Sequence, residues 1–437
     1  VEPIEPLPTE SVQPEPAPAP PAPLLRNRNF FLLWIGQTVS QLGNQAYAIA
    51  MMFWLMERTG SATLMGGLMT ASTLPGVFLG PFGGTFADRH SRIRTAIVCD
   101  LLAGLGIGVL TVALWRDQAS RLPIQLLTGL FFAVAVLIGV IRSFFQPAIA
   151  AAIPDLVPKE RLAAANSLNQ FSIQGTVFVG QAAGGVLFGW LGAPLLFLVD
   201  ALSYFFAAGA EALIPRDERR RAEAPSDVHP FRHFLHETAE GFRWVWAQRG
   251  MREFLFGVSL INFLAMPTTV LFPFYVKIYL NRGPQWYGFL LAAISVGAVV
   301  GFILAGTLRL SGAARARGVL TAMVLYPLCF GLLAFIRVPQ LAVVALLAGG
   351  ATVGFINVYL ITLIQAGTPS AVRGRVMGLL GTLSGGLVPL GMALGGVVGD
   401  LTHKNVPLIV LVSAGLGLLI TLGMGASRTC REFLANG

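Results

Sequence analysis

The sequence predicts an all-α integral membrane protein with twelve transmembrane helices in two pseudo-symmetric six-helix bundles. Three observations predict it. The 437-residue chain is 55% hydrophobic, only 12% charged, and has a mean hydropathy of +0.70. Soluble domains carry roughly twice that share of charge. Apolar runs of about 20 residues, enough for a helix to cross a bilayer, recur along the chain. Lysine and arginine fall mostly on every second connecting segment.

Residues 1–23 hold nine prolines and four glutamates, a composition that cannot build a core, and read as a disordered cytoplasmic tail. The first apolar run follows this polar tail and is too long for a signal peptide, so it reads as a retained span. Spans are expected near 30–56, 63–86, 95–115, 123–149, 164–189 and 194–214, and again near 254–278, 284–308, 318–336, 340–366, 376–399 and 405–426. The first bundle is thus 24–214 and the second 254–427, followed by a cytoplasmic segment 428–437. Between them, 215–253 is the only long polar stretch after the tail, and from Phe231 to Trp246 it has the spacing of an amphipathic helix lying on the membrane surface.

With both termini in the cytoplasm, 22 lysines and arginines lie on cytoplasmic segments and 7 on outer ones. That bias sets the orientation of a multi-pass protein, whose expected location is the plasma (inner) membrane. It also accounts for the net charge of +9 without nucleic acid, for which no basic, aromatic-interleaved domain exists. Cys99, Cys329 and Cys430 are far apart and read as packing residues. His229, His233 and His236 surround Pro230 with no cysteine or carboxylate set, and read as part of the surface helix rather than a metal site. No nucleophile, metal-protease or ATP-loop motif appears, so no enzymatic activity and no cofactor are expected.

The densest charge cluster is Gly83-Gly84-Thr85-Phe86-Ala87-Asp88-Arg89-His90-Ser91-Arg92-Ile93-Arg94, between an uncharged stretch, 59–87, and a run, 95–115, whose only charge is Asp100. It reads as a tight loop after the second span. Gly84, Asp88, Arg89, Arg92 and Arg94 resemble the loop motif of the major facilitator superfamily, with Ser91 where glycine is usual and Ile93 where a basic residue is common. An internal repeat supports two related halves. Gly180-Gln-Ala-Ala-Gly184-Gly185 in span five and Gly391-Met-Ala-Leu-Gly395-Gly396 in span eleven lie 211 residues apart. Small residues at that spacing let helix backbones approach, and such repeats mark secondary transporters. Arg142-Ser-Phe-Phe-Gln-Pro147, Pro154-Asp155-Leu-Val-Pro158, Phe197-Leu-Val-Asp200 and Val372-Arg373-Gly374-Arg375 resemble the branch that includes macrolide and enterobactin exporters, a pattern that lysophospholipid transporters share. Span five also resembles the Gly-Pro-x-x-Gly-Gly stretch of drug antiporters, with Gln181 in place of proline.

The resemblance implies alternating access: two bundles rock about a site near the midplane. It implies a secondary active exporter, proton-coupled and monomeric, for an amphipathic small molecule. Movement of lipid or lysolipid, or a receptor or scaffold that transports nothing, are the alternatives. Charges inside a membrane need a reason. Asp88, Arg142 and Asp100 are expected to meet at the cytoplasmic end of the first bundle as a gate, with Asp88 also placed to face the start of span eleven. Asp100 and Asp200 read as the only acids well inside the apolar runs, and so as the candidates for proton coupling. Gln37, Gln41 and Asn44 make one polar stripe on span one. With Gln174, Gln181, Asn262, Asn357 and Tyr359 they are the expected lining of the substrate cavity.

Overall fold

The computed structural model describes residues 24–215, 242–308, 310–369, 376 and 385–436, except the side chains of Pro81, Asp88 and Asn436. Among them the regular structure is helical, with no strand. In the first half the helices are α1 (Arg28–Thr59), α2 (Ala62–Arg89), α3 (Arg92–Ser120) and α4 (Ile124–Leu156). The helix Leu162–Ala212 turns at Gly192, whose φ of +72° suits a residue without Cβ, and Pro194 opens the next run. It therefore makes two passes, α5 (162–191) and α6 (193–212). The second half holds α7 (Arg249–Phe274), α8 (Pro284–Leu308), α9 (Gly312–Gly331), α10 (Pro339–Gly367), α11 (Val388–Leu401) and α12 (Val406–Ala426). A last helix, α13 (Arg428–Asn436), follows.

Local chemistry sets the helix ends. Asn27, Ser61, Ser91 and Asn405 cap α1, α2, α3 and α12 by accepting from the third following backbone N–H. Ser91 is the position where the loop motif usually has glycine, and its hydroxyl explains why the tight turn still forms. The expected loop 83–94 is a correction: α2 continues to Arg89 and α3 starts at Arg92, so only His90 and Ser91 lie outside helix. Gly83, inside α2, has no Cβ, and that lets the helix pack directly on the Ser143 carbonyl of α4.

The repeat glycines take equivalent places. Gly180 and Gly184 face α1 at Gln45 and Ala46, while Gly391 and Gly395 face α7 at Phe263 and Pro267. Gly185 meets the first turn of α8, at the Pro284 carbonyl, and Gly396 meets the first turn of α2, at the Ala62 carbonyl. The two halves thus touch through α5–α8 and α2–α11, at the end of the bundle opposite Arg89 and Arg92.

Part of the central stretch, 242–247, is helical, with Val245 buried, and Phe242 stacked on Trp246 at 5.1 Å between centroids. His229, His233, His236 and residues 1–23 lie outside the described residues, as do Arg373 and Arg375. The segment after 427 forms α13, which docks on α7 and α9 through a Phe254–Phe433 contact of 5.9 Å and through Arg315 donating to the Leu434 and Ala435 carbonyls.

Candidate functional site

The interior of the first half is where α1, α3, α4 and α6 meet. Gly36 and Gly43 on α1 let α6 approach, so that a Cβ at Gly43 would collide with Ser203 Oγ and lie 2.8 Å from Asp200 Oδ1. This close packing brings the polar stripe of α1 against α6. Gln37 Nε2 donates to Glu211 Oε1 at 2.8 Å. Asp100, reaching in from α3, interacts with the same Gln37 amide and faces Glu211. Asn44 Nδ2 donates to the Tyr204 hydroxyl at 2.7 Å, and Arg142 Nη2 donates to Asn44 Oδ1 at 3.1 Å. Asp200 lies within electrostatic range of Arg142, beside Ser203, whose hydroxyl donates instead to the Asp200 main-chain oxygen at 2.7 Å.

Asp100, Asp200 and Glu211 are at most 1% exposed. Both carboxyl oxygens of Asp200, and Asp100 Oδ2 and Glu211 Oε2, have no hydrogen-bond partner among the described residues. An ionised carboxylate in such a place costs several kcal/mol, about as much as any single interaction in the fold contributes. Uptake of a proton would remove that cost.

Several expectations change. Asp100 and Asp200 are not the only buried acids: Glu211 sits as deep. It lies three residues from the end of an apolar run, next to the arginine-rich stretch, where exposure is the ordinary reading. Arg142 bonds inside the bundle, and its expected meeting with Asp88 lies outside the described residues. Its neighbour Ser143 is level with Gly83, about 7.5 Å along the helix axis from Asp88, and its own partner is Asn44. The side chain of Asp88 and the start of the eleventh span lie outside the described residues. Of the motif arginines, Arg92 pairs with Asp155 at 2.6 Å and with the Ala151 carbonyl at 2.8 Å, tying α3 to the end of α4. Arg89 and Arg94 are exposed, and a Cβ at Gly84 would meet open space.

The proposed cavity lining also divides. Gln37 is buried on Glu211, Gln41 accepts from Thr176 at 3.2 Å, and Asn44 bridges Tyr204 and Arg142, so the stripe faces its own bundle. Tyr359 is buried and its hydroxyl accepts from Leu310 N at 3.1 Å, which makes it a clamp between α10 and the end of α8. Gln181 accepts from Ser295 of α8 at 3.1 Å, bridging the halves. Gln174 and Asn357 are exposed. Asn262 does line a cavity, of about 270 Å³, within the second half. Its walls include Met266, Phe272, Tyr287, Tyr326 and Phe330, and no charged side chain is among the described residues that line it. The Tyr287 hydroxyl reaches Met52 Sδ of α1 at 3.1 Å, and Tyr287 meets Phe53 edge-on at 5.3 Å. The cavity therefore ends against the contact between the halves.

That contact contains a residue the sequence reading missed. Asp400, at the last turn of α11, accepts from Ser61 Oγ at 2.8 Å, Ala62 N at 3.0 Å and Thr63 N at 2.9 Å. Burial raises its pKa, but the donations from Thr63, Ala62 and Ser61 outweigh that and hold the carboxyl at about 2. Nearby, Lys277 pairs with Glu57 at 3.2 Å across the halves, and both side chains are about half exposed.

Comparison with known proteins agrees with this architecture. The family model for transmembrane secretion effectors matches residues 19–435. Macrolide efflux protein A of Streptococcus pyogenes is 26% identical over 380 residues, covering 86% of this chain and 90% of that protein. The multidrug efflux pump Tap of Mycobacterium tuberculosis is 25% identical over 399 residues, covering 89% and 91%. Among solved structures, the nucleoside transporter NupG superposes with a TM-score of 0.68 at 14% identity over 90% of this chain and 98% of that one. A bacterial homologue of the iron transporter ferroportin in its inward-facing state gives 0.71 at 15% identity over 93% and 100%. The chain is a multi-pass membrane transporter and not an enzyme, and it belongs to the transmembrane secretion effector family of the major facilitator superfamily.

Proposed function

We propose that this protein is a proton-coupled exporter of an amphipathic small molecule, working by alternating access as a monomer of twelve spans in the inner membrane. Both termini and the Arg89–Arg92 end face the cytoplasm, as the distribution of basic residues favours. The observation that carries the proposal is the set of buried acids, Asp100, Asp200 and Glu211, in the first half. A carrier without an ATP-binding loop needs an ion gradient for uphill work. Carboxyls that exchange between a dry site and one open to water change their proton occupancy as the cleft changes side.

The halves divide the work. The first half holds the titratable groups, and the second offers a cavity lined by aromatic, Met and amide side chains. Such a lining takes the apolar body of an amphipath, while Asn262 orients it. The efflux activity named for relatives in Streptococcus and Mycobacterium supports the outward direction. In the opposite state, Asp88 would meet the start of span eleven and hold the cytoplasmic side shut.

Everted membrane vesicles test the proposal. A fluorescent amphipathic dye should accumulate when the vesicles are energised and leave when an uncoupler is added. Accumulation that survives the uncoupler would exclude proton coupling. A labelled lysophospholipid moved in place of the dye would favour lipid transport, and no flux of either would favour a scaffold.

A further inference from the structure

We propose that Asp400 is a one-sided latch on the outer gate, a carboxylate of the second half that caps the first turn of α2 in the first half and must let go before the cleft can open outward. Three donors converge on it from the other half: the Ser61 hydroxyl and the Ala62 and Thr63 backbone amides. These amides belong to the first turn of α2, where no intrahelical acceptor exists and the helix dipole favours an anion. Ser61 already uses its oxygen to accept from Leu64 N, so it is aligned to donate its proton to Asp400. Lys404, 3.5 Å away on the same half, steadies the carboxylate without crossing the interface.

The internal repeat makes the asymmetry visible. An offset of 211 residues places Gly185 opposite Gly396, and the same offset places Gly189 at the position matching Asp400. Gly189 has no side chain, and a Cβ there would meet open space. Its partner helix α8 begins with Pro284, which has no N–H to donate. The α5–α8 contact is therefore backbone packing, with Gly185 set on the Pro284 carbonyl, and one neutral hydrogen bond from Ser295 to Gln181, while the α2–α11 contact has backbone packing and a charge-assisted cap. Between α5 and α8 the described residues make no charge-assisted bond, and the Lys277–Glu57 pair that also crosses the halves is half exposed and screened by solvent. Opening on the α2–α11 side breaks three charge-assisted bonds, and that side sets the stability of the closed outer face.

The inference rests on the alternating-access reading, but its test needs no substrate and so can fail separately. The full chain, with Cys99, Cys329 and Cys430 changed to Ser, carries a Thr269→Cys reporter; Thr269 is exposed and lines the cavity of the second half. A membrane-impermeant maleimide is added to the outside of right-side-out vesicles. Loss of a charge-assisted bond shifts a two-state equilibrium by roughly ten-fold, so Asp400→Asn should raise the labelling rate about ten-fold and Asp400→Ala at least as much. Ser61→Ala, which removes one donor, should give a smaller rise, and Lys404→Ala should stay within about two-fold of the parent. If Asp400→Ala does not accumulate in the membrane, Asp400→Asn and Ser61→Ala decide. Labelling at the parent rate in those variants, with or without a lower melting temperature, would show that Asp400 only stabilises the fold and would overturn the latch.

Discussion

Changing Gly396 to alanine perturbs one state of the transport cycle and leaves the other alone. The added Cβ would stand 2.6 Å from the Ala62 carbonyl oxygen and 3.0 Å from Thr63 Cα, both backbone atoms that cannot swing aside. Ordinary contact begins at 3.4 Å, so α2 and α11 must part by about 0.8 Å at this end. Overpacking of this kind costs roughly 1–3 kcal/mol. The cost falls only on the state in which the outer ends touch, so it shifts the balance toward the outward-open state by roughly 5- to 150-fold. Spin labels at Gln118 and Gln340, exposed near the outer ends of α3 and α10, report the change as a longer distance in pulsed EPR. Gly185→Ala should act the same way, since its Cβ would run into the Pro284 carbonyl oxygen. Gly184→Ala is the contrast: its Cβ would press on Ile49 and Ala46 within one half, so it should lower the melting temperature and leave the distances unchanged. Identical distance distributions in Gly396→Ala and the parent, at equal stability, would refute the account of how the outer side closes.

The acids give a second expectation: Glu211→Gln and Asp200→Asn remove a titratable group at nearly constant volume, and should abolish uncoupler-sensitive dye accumulation in everted vesicles while changing the stability of the fold by less than about 1 kcal/mol. Arg142 is exposed, so Arg142→Met should destabilise the detergent-solubilised protein by no more than about 1 kcal/mol, and a double-mutant cycle with Asn44→Ala should return a coupling of about 0.5 kcal/mol; additivity would mean that the Arg142–Asn44 bond contributes nothing. The latch should also be indifferent to ordinary pH. Asp400 is held at about 2 against an ordinary 3.8, so its contribution is complete above 3.8 and is lost only as pH falls toward 2. Outer labelling of the Thr269→Cys reporter should therefore show no Asp400-dependent change between about pH 5 and 8, and a difference between parent and Asp400→Asn that vanished by about pH 5 would contradict that assignment.

How much of this was legible beforehand follows from what a bilayer demands. A membrane span needs an uninterrupted apolar run, so the positions of most helices could be read from hydropathy, and the spacing of glycines located one set of close helix contacts in each half. The loop motif was recognisable from Asp88 to Arg94, although Ser91 capping α3 shows that the turn there is shorter than the charge cluster suggested. What a one-dimensional pattern does not contain is the partner of each face. The stripe Gln37, Gln41 and Asn44 was visible as a stripe, but only packing decided that its hydrogen bonds go to Glu211, Thr176 and Tyr204 of its own bundle. Glu211 looked like the start of a polar segment because hydropathy averages over neighbours, whereas its burial depends on α1 and α3 closing over it. Asp400 looked like an ordinary end-of-helix acid, and became a latch only because the first turn of α2, with Ala62 lying 338 residues earlier in the chain, presents its free amides there. Local sequence determines which helices exist, since each satisfies its own backbone bonds in lipid; which buried charge answers which neighbour is decided by contacts between helices, and those are properties of the assembled bundle.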